Sequence, residues 1–143
     1  MGVIIVGVDG TEPAGQAALT AARLATALGA ELRVVCGYGK ADVEQVEHDR
    51  ELNLTTAESA AIVGEQAIRR LRAVYPEVNV TVQATAGKPA EALLAAAEQS
   101  DAELIVVGNK RVQGASRILG SIATELARKA QCDLYIAYTH ARK

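Results

Sequence analysis

The feature of the sequence that most constrains the fold is a regular alternation of short apolar runs with longer, alanine-rich segments of helical periodicity. The apolar runs predict five β-strands, at Val3–Asp9, Glu31–Tyr38, Val78–Ala84, Ala102–Val107 and Cys132–Tyr138. The segments between them predict four helices, at Ala14–Leu28, about Thr55–Val74, Ala90–Gln99 and about Gly120–Ala130. Strands that alternate with helices form right-handed βαβ units on a parallel sheet. We therefore expect one doubly wound, Rossmann-like α/β domain over residues 1–143, with two helices on each face of a five-stranded sheet.

Local signals mark where these helices begin and end. Thr11 is the predicted N-cap of the first helix, and Gly29 is its C-terminal stop. The run Thr55-Thr56-Ala57-Glu58 has the spacing of a capping box, which predicts the start of the second helix. The polar segment between Gly39 and Leu54 has no clear pattern, so we expect a loop or a short helix there.

Composition and charge exclude several classes of function. The 143 residues include four Tyr but no Phe or Trp, so the aromatic platforms of single-stranded nucleic-acid binders are scarce. A net charge of −2 argues against a general polyanion binder. No apolar run is long enough for a membrane span, and Met1-Gly2-Val3-Ile4 lacks the cationic start of a signal peptide. Cys36 and Cys132 lie in apolar runs, which predicts buried, reduced thiols in a cytoplasmic protein.

The segment from Leu104 to Ser121 is the strongest functional signal. The segment begins within a predicted buried strand and ends at the predicted helix start Gly120-Ser121. It contains three glycines and three cationic residues. Free N–H groups and the helix dipole make such a start attractive to anions. Ligands of doubly wound sheets bind beyond the carboxyl ends of the strands. The predicted loops at that end are Asp9–Thr11, Gly37–Lys40, Ala84–Lys88 and Gly108–Gly120.

The sequence resembles the universal stress protein family along nearly its whole length. The resemblance rests on Val8-Asp9-Gly10-Thr11, Gly87-Lys88-Pro89-Ala90-Glu91-Ala92-Leu93, Ala102-Glu103-Leu104-Ile105-Val106-Val107-Gly108, Leu119-Gly120-Ser121-Ile122-Ala123 and Ala130-Gln131-Cys132-Asp133. It implies a strand order of 3-2-1-4-5 and a homodimer that pairs through the fifth strand, Cys132–Tyr138. One branch of the family binds ATP, so the resemblance also implies binding of ATP or of another adenine nucleotide, with or without a bound Mg²⁺ ion.

The ATP-binding branch carries the pattern Gly-x2-Gly-x9-Gly-[Ser/Thr]. Gly108 matches its first glycine and Gly120-Ser121 its last pair, but Arg111 replaces the second glycine and the loop is one residue shorter. Arg111 either contacts a phosphate itself or blocks the site. The resemblance further implies that Asp9 contacts the nucleoside and Gly37 presents backbone groups to adenine. It places Gly108 under the ribose or phosphates, with Gly120, Ser121 and Ile122 on a phosphate.

Each of these residues also has a purely structural interpretation. Asp9 can cap the following helix, Ser121 can be an N-cap, and Gly37 can simply turn the chain. The sequence shows no nucleophile paired with a base and no metal-ligand spacing, so we predict a protein that is not an enzyme. Three functions remain open: an ATP-binding dimeric regulator of the stress response, a dimeric interaction module that binds no nucleotide, and a cyclic-AMP binder that uses the same pocket. Its protein partner is unknown, and neither nucleic acid nor membrane is expected.

Overall fold

A computed structural model describes residues 2–38, 56–109 and 120–139. Its strands are β1 (Val3–Gly7), β2 (Glu31–Tyr38), β3 (Val80–Ala86), β4 (Leu104–Gly108) and β5 (Asp133–Ala137). Its helices are α1 (Glu12–Leu28), α2 (Thr56–Val74), α3 (Pro89–Ser100) and α4 (Ser121–Lys129). These elements confirm the predicted alternation. No helix in the described ranges is long and apolar enough to cross a membrane.

The five strands form one parallel sheet in the order β3-β2-β1-β4-β5, which confirms the order that the family resemblance implied. The central strand, β1, pairs with β2 on one side and with β4 on the other. Its side chains at Ile4, Ile5 and Val6 have 0 % exposure, as expected for a strand covered on both faces.

Two helices cover each face, as predicted. One core layer packs α1 and α2 against the sheet side chains of Ile4, Val6, Leu32, Val34 and Val106. The opposite layer packs α3 and α4 against Ile5, Val35, Ile105 and Val107. Helix α1 contributes five alanines that are at most 1 % exposed, Ala17, Ala18, Ala21, Ala22 and Ala25. Their small side chains bring the helix backbone close to the sheet.

The third strand begins later than predicted, because a hydrogen bond places its first apolar residue in a turn. The predicted third strand began at Val78, but Val78 N donates to Tyr75 O at 3.2 Å and so belongs to a turn, which moves the start of β3 to Val80. Thr11 is the N-cap of α1, as predicted, and its hydroxyl accepts from Ala14 N at 3.4 Å. The capping-box residue Thr55 lies outside the described residues.

The two cysteines are both free thiols, in agreement with the sequence interpretation. Cys36 is buried, but Cys132 is only partly buried, so the prediction that both are buried was wrong for Cys132. Cys132 precedes β5, the edge strand, and an edge position leaves part of its surface open.

Candidate functional site

A cleft lies beyond the carboxyl ends of β1 and β4, where the winding of the sheet reverses. From β1 the chain proceeds through α1 to β2 on one side, and from β4 it proceeds through α4 to β5 on the other. At this point of the sheet, between the ends of β1 and β4, lies a cavity of about 140 Å³. The described residues that line it are Gly7, Val8, Asp9, Thr11, Pro13, Ala14, Val35, Gly37, Pro89, Leu93, Val107, Gly108, Gly120, Ile122 and Ala123.

The structure brings most of the predicted site residues to this cleft. Those that line it are Asp9, Gly37, Gly108, Gly120 and Ile122. Ser121 is not among the lining residues, although it lies between two of them as the first residue of α4. Arg111 lies outside the described residues. Residues that are more than one hundred positions apart in the chain, such as Asp9 and Gly120, thus line the same cleft.

Asp9 forms the polar wall of the cleft together with Thr11. One Asp9 carboxylate oxygen accepts from Thr11 N at 2.9 Å and also from the Thr11 hydroxyl. Gly10 between them has a φ of +86°, a left-handed backbone conformation that glycine adopts without strain. The capping interpretation of Asp9 is therefore correct in that its carboxylate holds the turn before α1. Asp9 is also exposed and lines the cleft.

The backbone at Gly37 and Gly108 lies close to neighbouring chain segments. A Cβ at Gly37 would be 3.2 Å from Ala92 Cβ and 3.2 Å from Gly87 O. A Cβ at Gly108 would be 3.1 Å from Thr139 Cγ2 and 3.4 Å from Pro13 O. Packing alone thus favours glycine at both positions. Gly37 lies inside β2, so the interpretation that it merely turns the chain was wrong.

Helix α4 begins at the cleft, and its N-cap residue is a glycine. Its N-cap is Gly120, with extended backbone angles (φ −65°, ψ 163°), and no side chain at that position accepts from the first turn. Gly120 O accepts from Thr124 N at 3.0 Å, which closes the first turn of the helix. The interpretation of Ser121 as the N-cap was wrong by one residue, because Ser121 already has helical geometry. The first N–H groups of a helix have no partner within the helix, and Gly120 and Ile122 at this helix start line the cleft.

The rest of the lining is apolar, and sequence analysis did not single it out. Val107 is the last buried residue of β4, Val8 follows β1 directly, Val35 is a buried residue of β2, and Leu93 belongs to α3. The sequence shows only that these residues lie in apolar runs. The order of the strands in the sheet is what brings them together in one wall of the pocket. The polar side chains among the described lining residues are Asp9 and Thr11, and no cationic side chain is among them. The described part of the cleft thus suits an uncharged, flat or hydroxylated ligand moiety.

Burial and charge near the cleft also affect one thiol. Cys36 lies on β2 next to Gly37, and burial raises the pKa of its thiol to about 11, with a smaller contribution from the Asp9 carboxylate. Such a thiol stays protonated at neutral pH and is a poor nucleophile. The described residues contain no cluster of three or more metal-ligating side chains.

Comparison with known proteins relates this fold to one family. The sequence model of the universal stress protein family matches residues 1–137. Universal stress protein Rv1636 of Mycobacterium tuberculosis is 29% identical over 144 residues, which cover 95% of this chain and 95% of that protein.

Two solved structures show the same architecture. A universal stress protein in complex with cAMP superimposes with a TM-score of 0.75 and 24% identity, covering 97% of this chain and 98% of the other. A universal stress protein from Archaeoglobus fulgidus in complex with dAMP gives a TM-score of 0.67 and 18% identity, covering 95% of this chain and 97% of the other. At these identities the likeness establishes the fold.

Proposed function

The chain belongs to the universal stress protein family, and we propose that its cleft binds an adenine nucleotide, with ATP as the first candidate. The observation that carries the proposal is the convergence of Asp9, Gly37, Gly108 and the start of α4 at Gly120 around one cavity. Two proteins of the same fold are described in complex with cAMP and with dAMP, which supports an adenine ligand here.

Each part of the cleft suits one part of the ligand. The apolar wall and the Gly37 backbone would hold adenine, since a flat base needs apolar surface and a few backbone groups. The Asp9 carboxylate would accept a hydrogen bond from a ribose hydroxyl. The backbone at Gly108 would lie under the ribose or phosphates. The N–H groups of Gly120, Ser121 and Ile122 and the Ser121 hydroxyl would hold a phosphate at the start of α4.

The charge of the phosphates is the least well matched part of the ligand. The described lining residues include a carboxylate and no cation. Neutralisation of a triphosphate therefore depends on Mg²⁺, or on the cations that the sequence carries at Lys110, Arg111 and Arg117, which lie outside the described residues. A ligand with one phosphate has less charge to neutralise, so cyclic AMP is the second candidate, and a relative of the same fold in complex with cAMP supports it.

Calorimetric titration with ATP, AMP, cyclic AMP and adenosine tests the proposal. Gly120→Val should weaken ATP far more than adenosine, because the new side chain occupies the approach of the phosphate but not the adenine pocket. Ser121→Ala should weaken ATP by about 1.5–3 kcal/mol, the contribution of one hydrogen bond to a charged group. Melting curves of both variants establish that they are folded.

The outcomes separate the proposal from its alternatives. If none of the four ligands binds the wild-type protein or Arg111→Gly at millimolar concentration, the cleft is not a nucleotide site and the interaction-module hypothesis stands. If ATP binds wild type and Gly120→Val equally well, phosphate does not rest on α4. Arg111→Ala should weaken ATP more than adenosine if Arg111 grips phosphate, whereas Arg111→Gly should tighten ATP if Arg111 blocks the loop.

We also propose that the protein acts as a homodimeric regulator of the stress response rather than as an enzyme. The described lining offers Asp9 and Thr11 as its polar side chains, which is consistent with binding without catalysis. Free thiols at both cysteines fit the predicted cytoplasmic location. A protein partner that responds to the bound state completes the proposal, and its identity is open.

Strand β5 supports the homodimer because it is an edge strand with exposed apolar side chains. Tyr135 is 38% and Ile136 is 37% exposed, and Tyr138 just beyond the strand is 55% exposed. Apolar edge strands are normally covered or paired. Tyr135→Lys with Ile136→Lys should convert a dimer to a monomer in sedimentation equilibrium, whereas Thr81→Lys on β3, at the other edge, should leave it intact. A monomeric wild type at micromolar concentration would show the dimer proposal to be wrong.

A further inference from the structure

A pair of side chains joins the cleft to the edge strand β5. Asn109 immediately follows Gly108, a lining residue at the end of β4, and Thr139 lies two residues beyond the end of β5. The Asn109 Oδ1 atom accepts from Thr139 N at 2.8 Å and from the Thr139 hydroxyl at 2.8 Å. A backbone N–H can only donate, so the Asn109 atom that faces it is the amide oxygen. One side-chain oxygen thus binds two donors of a residue thirty positions away.

Burial makes this contact more than a surface hydrogen bond. Thr139 is 9% exposed and is the buried polar residue of the described part of the chain, while Asn109 is half-buried. A buried donor that loses its acceptor carries a desolvation penalty, so the Thr139 donors and the Asn109 oxygen are held together. The pair therefore fixes the chain that leaves β5 against the chain that leaves β4.

Thr139 also lies beside Gly108, a residue that lines the cleft. Its Cγ2 atom lies 3.1 Å from the position that a Gly108 Cβ would occupy, and Pro13 O lies 3.4 Å from the same point. Gly108 is therefore enclosed between Thr139 and the first turn of α1. The gap that the missing Gly108 Cβ leaves beside Thr139 is slightly smaller than a methyl group needs, so a larger shift of Thr139 toward Gly108 would displace the Gly108 backbone.

The other end of the same connection is the exposed edge. Gly108 pairs with Ala137 and Val107 with Ile136 in the β4–β5 register. Ile136 and Tyr138, both exposed, flank Ala137 immediately before Thr139. Two links thus join Gly108 in the cleft to the exposed edge: the pairing of β4 with β5, and the two hydrogen bonds from Thr139 to Asn109.

From this geometry we infer that Asn109 is a positioning residue that couples occupancy of the cleft to the order of the β5 edge. A ligand resting on Gly108 restrains Asn109, and Asn109 restrains Thr139 and the end of β5. Coupling of this kind is reciprocal, so a second copy paired on β5 would raise the affinity of the cleft by the same factor. The inference rests on the proposed adenine-nucleotide site.

Hydrogen exchange of peptides that cover residues 133–139, with and without saturating ATP, measures the coupling. ATP should slow exchange there by at least about fivefold in the wild-type protein, within the usual range of coupling between sites. Asn109→Ala, which removes the shared acceptor, and Thr139→Val, which removes the hydroxyl donor and keeps the shape, should reduce or abolish this slowing at ATP concentrations that saturate each variant. Thr139→Ser keeps both donors and loses the Cγ2 atom beside Gly108, and it should retain the slowing because the two hydrogen bonds to Asn109 carry the coupling.

The control and the separate binding measurement decide the outcome. A merely structural role for Asn109 would lower the melting temperature and leave the ATP-dependent slowing in place, which would overturn the inference. Equal behaviour of Thr139→Val and Thr139→Ser would overturn it as well. If calorimetry shows that ATP binds but exchange of residues 133–139 does not change, this inference alone fails. If calorimetry shows no binding, the proposed function fails and the inference with it.

Discussion

Gly64, in the middle of α2, is a site where two opposing effects of one methyl group can be weighed. An ideal Cβ at Gly64 would overlap Val82 Cγ2 on β3, and it would lie 3.3 Å from Val82 Cβ and 3.2 Å from Cys36 Sγ. In an exposed helix interior, Gly→Ala stabilises by about 1 kcal/mol. Overpacking of a well-packed contact costs about 1–3 kcal/mol. Because one atom overlaps outright and two others are tight, we expect the overpacking to win.

The expected result for Gly64→Ala is a net destabilisation of about 1–2 kcal/mol, or roughly 3–8 °C in melting temperature for a domain of this size. Rotation of Val82 cannot remove the whole conflict, because its Cβ does not move with χ1. In a Val82→Ala background the overlapping atom is absent. There Gly64→Ala should be neutral or stabilising by up to about 1 kcal/mol, so that the sign of the effect changes.

Urea denaturation of the wild type, both single variants and the double variant completes the cycle, with circular dichroism as the probe. The interaction free energy should be about 2 kcal/mol. If Gly64→Ala stabilises the wild type as much as it stabilises Val82→Ala, α2 does not approach β3 as closely as the structure shows. A change in the denaturant slope instead of the midpoint would also contradict the packing argument.

Two further predictions concern titratable groups. Burial raises the pKa of the Cys36 thiol from 9.0 to about 11. The protonated thiol therefore contributes stability that is complete below pH 9.0 and is lost as the pH rises toward 11. In Cys36→Ala the free energy of unfolding should fall less over this pH range than it does in the wild type. Alkylation at pH 8, followed by mass spectrometry, should modify the less buried Cys132 first. Arg70 donates to the Glu12 carboxylate at 2.9 and 3.2 Å and, with Gln16, holds the pKa of Glu12 below 4.5. The stabilisation by Glu12 is present above pH 4.5 and is lost as the pH falls through the lowered pKa. The difference in melting temperature between wild type and Glu12→Gln should therefore be present at neutral pH and become smaller in acid. A difference that becomes larger in acid would contradict this prediction.

The sequence by itself determined the fold class and the end of the sheet that carries the cleft. Alternation of apolar runs with alanine-rich segments is a local property, and local periodicity is sufficient to call for strands, helices and parallel βαβ units. Turn and cap residues such as Thr11 and Gly29 likewise act on their own neighbours, and the structure confirms both. Asp9 and Gly120 could be found because strand ends and helix starts are visible in the sequence.

Tertiary structure decided everything that depends on the distance between elements far apart in the chain. The strand order came from family resemblance, since spacing alone does not say on which side of β1 the later strands lie. The apolar wall that includes Val35 and Leu93 exists only because α3 packs on the face of the sheet to which Val35 of β2 belongs. The single oxygen of Asn109 that binds two donors of Thr139 has no local signature at all. Short-range periodicity records which residues face a core, whereas the contacts that shape the cleft arise only when the folded sheet brings those faces together.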